Sequence, residues 1–93
     1  MEPGKILASS LRQNIIRELS INSEIRMIEF VVKLKSTYTD VNRNLSILER
    51  EDIIRNEYPQ KIRHGRVRII QLNKDNPKTK SLLEALKILD NYK

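Results

Sequence analysis

The chain has 93 residues, which is the size of one small domain. A net charge of +6 and a pI near 9.8 suit an acidic partner such as nucleic acid. The absence of cysteine excludes disulfides, thiolate metal sites and cysteine nucleophiles.

The apolar runs are too short to span a bilayer, and residues 1–11 lack the basic-then-apolar pattern of a signal peptide, so a cytoplasmic protein is expected. Met1–Lys5, with Pro3 and Gly4, reads as a frayed tail. A first helix is expected from Ser9 or Ser10 to Leu19, capped by Ser9, with Leu11, Ile15, Ile16 and Leu19 as its apolar stripe. Ile6 and Leu7 precede the cap, either packing as a staple or extending the helix backwards. Ser20–Ser23 reads as a turn and Glu24–Arg26 as a brief extended segment.

A second helix is expected over Met27–Lys35. Ile28, Val31, Val32 and Leu34 form its expected apolar side, with Phe30 partly buried. Its β-branched content makes it a poor helix former, but only Lys35, Ser36 and Thr37 separate it from the next helix. A short turn between two helices is a helix-turn-helix arrangement.

The helix that begins after Thr37 has two faces. Val41, Leu45 and Leu48 recur at helical spacing as an apolar stripe. Tyr38, Thr39, Asn42, Arg43 and Ser46 lie on another face, which carries no aliphatic residue and almost no acid. Such side chains hydrogen-bond to base edges and phosphates. Thr37 is a suitable N-cap, and Asp40 can complete a capping-box-like pair. A solvated face is the plain alternative, but such faces usually mix Glu with Lys, and here Arg43 is the only cation of the first two turns. It is the most specific candidate, because arginine can pair bidentately with guanine.

The helix should end near Arg50 or Glu51. Ile53–Tyr58 and Arg66–Leu72 then read as strands of a hairpin, with Gly65 suited to a turn. Val67, Ile69 and Leu72 are assigned to one face of the second strand, and Arg66, Arg68 and Ile70 to the other. Residues 55–68 hold Arg55, Lys61, Arg63, Arg66 and Arg68 against Glu57 alone. Lys61, Arg63 and His64 would reach a minor groove or its phosphates, and Arg66 and Arg68 would line the stem. The plain alternative is a basic hairpin that blunts a sheet edge. His64 lacks a second histidine, a cysteine or a close carboxylate pair, so neither metal binding nor catalysis is expected of it.

Asn73–Asn76 reads as a loop. Asn76 followed by Pro77 marks the start of a last helix over about 77–91. Leu82, Leu83, Leu86 and Leu89 form its main stripe, widened by Ala85, Ile88 and Tyr92. So wide a stripe can face both the domain and a second copy, and Leu82, Ala85, Leu86, Ile88, Leu89 and Tyr92 are the expected dimer seam.

The sequence contains no phosphate-cradling glycine loop and no catalytic constellation, so an enzyme is not expected, nor any cofactor or metal. The expected fold is α+β and mostly helical: a winged helix-turn-helix with a three-helix core, a β-hairpin wing and a C-terminal helix, in a single domain over 1–93. Leu7-Ala8-Ser9-Ser10-Leu11-Arg12-Gln13-Asn14-Ile15-Ile16 resembles the L-A-D-P-T-R-x-x-I-L opening helix of ArsR-type repressors. Residues 36–49, S-T-Y-T-D-V-N-R-N-L-S-I-L-E, resemble their S-Q-S-T-V-S-R-H-L-x-x-L-E recognition helix. Glu51-Asp52-Ile53-Ile54 resembles the E-x-G-L-V exit into the wing. The resemblance covers about Ile6 to Tyr92 and extends to archaeal regulators of the ArsR or MarR type. Ser10 stands where these have proline. Asp52 stands where they have the glycine that usually takes the left-handed position after the helix, a conformation that Asp can adopt at modest cost. The Cys and His sets of the metal sensors are missing.

The resemblance implies a homodimeric transcriptional regulator bound to double-stranded DNA. The helix after Thr37 would lie in the major groove, and the wing would bracket the adjacent backbone. A winged-helix protein–protein adaptor in a transcription or replication assembly is the alternative.

Overall fold

The computed structural model describes residues 3–57 and 68–91, with side chains from residue 4 onward. Among these, five helices and three strands follow in the order α1 (Pro3–Ile6), α2 (Ser10–Ile21), β1 (Glu24–Arg26), α3 (Met27–Lys33), α4 (Tyr38–Arg50), β2 (Ile54–Glu57), β3 (Ile69–Leu72) and α5 (Pro77–Asn91).

The residues expected to start helices do so. Ser9 Oγ accepts from Arg12 N at 3.2 Å, and Thr37 Oγ1 accepts from Asp40 N at 3.1 Å. Asn76 Oδ1 accepts from Lys78 N at 3.0 Å, with Pro77 at the first helical position. The Asp40 carboxylate lies 3.7 Å from Arg43 Nη1, so it faces along the helix instead of closing a box with Thr37. The N-terminal stretch expected to fray instead contains α1. Its Ile6 is fully buried, and Arg12 binds the carbonyls of Lys5 (3.0 Å) and Ile6 (2.8 Å).

The chain leaves α4 through a Schellman motif. Asp52 N donates to Glu49 O and Ile53 N to Leu48 O, each at 3.0 Å, with Asp52 in the left-handed region at φ 60°. Ile53 and Leu48 are fully buried beneath it. Asn73 and Asn76 then donate to the carbonyls of Asp52 and Glu51, locking the start of α5 onto this corner. In the tight turn before α4, Lys35 is also left-handed, at φ 51°.

The sheet is antiparallel in the order β1-β3-β2. Ile70 pairs with Ile25 and Leu72 with Ile54, and all four are buried. Directly opposed residues share a face of the sheet. The core face of β3 is therefore Ile70 and Leu72, while Ile69 is half-buried. This corrects the expected assignment, which put Leu72 on the face of Ile69 and Ile70 on the opposite one. The strand is central, and its partners on both sides set its parity.

The face of α3 is likewise rotated from expectation. Met27 and Phe30 are buried, and Val31 and Leu34 pack partly against the core. At about 100° per residue these four make one stripe. Ile28 and Val32 fall to its side, 68% and 71% exposed. At the start of α3, hydrogen bonds from the side chain and backbone of Arg26 hold the Glu29 carboxyl below its ordinary range.

The core lies between α2, α4, the sheet and α5, filled by Ile15, Ile16, Leu19, Phe30, Val41, Leu45, Leu48 and Leu82. Leu82 and Leu86 are buried within the protomer, so these two expected seam residues serve its own core. The hydroxyl of Thr79 in α5 is buried without a hydrogen-bond partner. Thr79→Val keeps the shape and removes that uncompensated group, so it should stabilise the fold by about 1 kcal/mol. Thermal melting should then shift upward by about 4–8 °C. A melting point at or below that of the parent would show that the hydroxyl is satisfied in solution.

Candidate nucleic-acid interface

The second helix of the helix-turn-helix, α4, buries Val41, Leu45 and Leu48 and turns its other side outward. The five residues expected to read DNA divide into two sets. Tyr38 (57% exposed), Thr39 and Arg43 (side chain 70% exposed) face solvent. Asn42 and Ser46 are half-buried on the flank that faces the sheet. Ser46 Oγ donates to the carbonyl of Asn42 at 2.9 Å, a local bond that leaves the hydroxyl oxygen able to accept.

The sequence reading missed Arg50. It is exposed seven residues after Arg43, so it prolongs the outer stripe by two turns, and its Nε lies 3.4 Å from Ser46 O. The seven-residue spacing from Arg43 was the available signal. Arg12 was also missed as a positioning group. Its Nη1 donates to Asn44 Oδ1 at 2.9 Å, while its other donors hold α1, so α4 is tied to the N-terminal segment.

Of the expected wing residues, Lys61, Arg63, His64 and Arg66 lie outside the described residues. Arg68 lies within them and is half-buried. Its Nε donates to Asn56 Oδ1 at 2.8 Å and its Nη1 to Asn42 Oδ1 at 2.6 Å. Arg68 therefore bridges the sheet to α4, in addition to adding charge beside it. Of the expected dimer seam, Ile88 and Leu89 are exposed and Ala85 is half-buried, while Tyr92 lies outside the described residues.

Among the described residues, no group of three His, Cys, Asp or Glu side chains is placed to hold a metal, and no helix is long and apolar enough to cross a membrane.

A helix-turn-helix whose second helix runs into an antiparallel sheet, with helices before and after, is a winged helix-turn-helix. No protein-family model matches the chain, and no curated protein matches it either. Solved structures share the fold. One is AntR, an antimony-specific transcriptional repressor, with a TM-score of 0.72 and 16% identity over 97% of this chain and 76% of that one. A second is a transcriptional regulator homologue from Pyrococcus horikoshii, with a TM-score of 0.70 and 17% identity over 98% of this chain and 96% of that one. A third is YusO from Bacillus subtilis, with a TM-score of 0.70 and 18% identity over 95% of this chain and 62% of that one. At these identities the likeness establishes the fold.

Proposed function

We propose that this chain is a cytoplasmic, homodimeric transcriptional regulator that binds double-stranded DNA in a sequence-specific manner. The observation that carries the reading is the outer stripe of α4. Thr39, Arg43 and Arg50, with Tyr38 beside them, project from a helix whose opposite face is locked in the core. A rigid helix with projecting hydrogen-bond donors is what major-groove readout requires. The description of two fold neighbours as transcriptional regulators supports the same reading. The antimony specificity of one neighbour is not carried over, because this chain offers no thiolate for a soft metal ion.

In this reading Lys61, Arg63, His64 and Arg66 contact the adjacent backbone or minor groove. The helix over 77–91 joins two protomers through Ile88 and Leu89 with Ala85 and Tyr92, setting the recognition helices about 34 Å apart on an inverted repeat.

The test is selection from a random duplex pool at several salt concentrations, with sequencing of what is retained. The expected result is a palindromic motif. With about 6–10 phosphate contacts, affinity should fall by about 10³–10⁵ between roughly 50 and 200 mM salt. Salt-sensitive retention without a motif would replace the regulator with a general DNA-coating role.

One observation favours the adaptor alternative: Ile28 and Val32 form an exposed aliphatic pair on α3. That reading gains if no duplex is retained even at low salt.

A further inference from the structure

Arg68, Asn42, Asn56 and Glu49 form a directed chain of hydrogen bonds between α4 and the sheet. Arg68 offers donors only. The oxygen of each carboxamide must therefore face it: Asn42 Oδ1 at 2.6 Å from Nη1, and Asn56 Oδ1 at 2.8 Å from Nε. Asn56 Nδ2 is consequently turned the other way and donates to Glu49 Oε2. Asn42 and Glu49 are seven residues apart on α4, about 10 Å along its axis. The two strands thus grip the helix at points two turns apart. The backbone of Arg68 adds a third tie, its carbonyl accepting from Met27 N at the start of α3 at 2.9 Å.

The orientation of Asn42 has a chemical consequence for recognition. A free asparagine reads adenine by accepting from N6 while donating to N7. Here the accepting oxygen is engaged by Arg68, while Nδ2 has no partner among the described residues. We propose, resting on the DNA-binding reading above, that Arg68 is a positioning residue for specificity. It holds Asn42 as a donor-only reader, so that the base pair facing Asn42 is chosen for two adjacent acceptors, guanine O6 and N7, and an A·T pair is disfavoured because adenine N6 finds no acceptor there.

Pool selection with wild-type protein, Arg68→Met and Arg68→Lys, each checked for an intact melting transition, tests the inference. Asn42→Ala locates the position that Asn42 reads, as the one that loses its preference. Wild-type protein should select a G·C pair there. Arg68→Met should weaken binding to that site by about five- to tenfold and move the preference toward an A·T pair at that position alone. Arg68→Lys keeps a donor-only cation able to engage Asn42 Oδ1, so it should shift the preference less than Arg68→Met. A merely structural role would weaken all positions together.

An unchanged preference in folded Arg68→Met, or an A·T pair at the Asn42 position in wild-type protein, overturns the inference while leaving DNA binding intact. If no duplex is retained, the DNA reading fails and the specificity claim fails with it. The Arg68 Nε–H resonance in free protein reports the brace separately, since Asn56→Ala and Asn42→Ala should each shift it.

Discussion

Arg43→Ala is expected to cut sequence-specific binding sharply while leaving the fold intact. The Arg43 side chain is 70% exposed, and its only described ionic neighbour is Asp40 at 3.7 Å. An exposed pair of this spacing is worth about 0.2–0.5 kcal/mol, too little to hold the guanidinium away from a guanine. A bidentate arginine–guanine contact contributes about 1–3 kcal/mol of discrimination. In the proposed symmetric dimer the two arginines would lie on separate half-sites, so their effects should add. The variant should therefore lose about 2–6 kcal/mol, roughly thirty-fold to 10⁴-fold, on its selected site. Binding to a scrambled duplex should fall far less, because one phosphate-range charge per protomer is all it loses. Titration of both duplexes by fluorescence anisotropy, alongside thermal melting, measures the difference. Equal losses on the two duplexes would demote Arg43 to a backbone contact.

Phe30→Ala is expected to be the more damaging change to the fold. Phe30 is fully buried where α3 meets the core. Truncating a buried phenylalanine costs about 3–5 kcal/mol. A domain of this length has a total stability of about 5–14 kcal/mol, so about a fifth or more of it should disappear and the melting point should fall by more than about 10 °C. Val32→Ala on the same helix is the matched control. With Val32 71% exposed, its loss should stay within about ±0.5 kcal/mol. Chemical denaturation of the two variants separates the observed face of α3 from the one read off the sequence. Similar losses in both would mean that Val32 is covered in the folded protein in solution.

These two predictions differ in how visible their basis was beforehand. Arg43 stood out because a helix face with one cation and several small polar groups is unusual for a solvated surface. Its exposure and its distance from the apolar stripe follow from helical geometry alone. Phe30 was misread because Met27–Lys35 is apolar nearly all round, and periodicity cannot select a face when too many positions qualify. The same degeneracy misled the reading of β3, where Ile69, Ile70 and Leu72 all compete for the core. In α5 the wide leucine stripe was recognised as two-faced, but which leucines belonged to the protomer was not legible. The position of α2 beneath α5 settled it, burying Leu82 and Leu86 and leaving Ile88 and Leu89 exposed.

What the sequence determined by itself is the local punctuation of the chain. Ser9, Thr37 and Asn76 start helices, Asp52 ends α4 in the left-handed conformation, and a short turn, four residues from Leu34 to Thr37, joins α3 to α4. Each signal acts over three to five residues, so it survives without knowledge of the rest of the fold. Only the tertiary structure decided which face of α3 is buried, which parity of β3 meets the core, and that Arg68 turns inward to Asn42. Those choices depend on groups brought together from distant parts of the chain, 26 residues apart in the Arg68–Asn42 pair. No local preference of either residue contains that information, since an arginine and an asparagine beside a helix are equally at home in water.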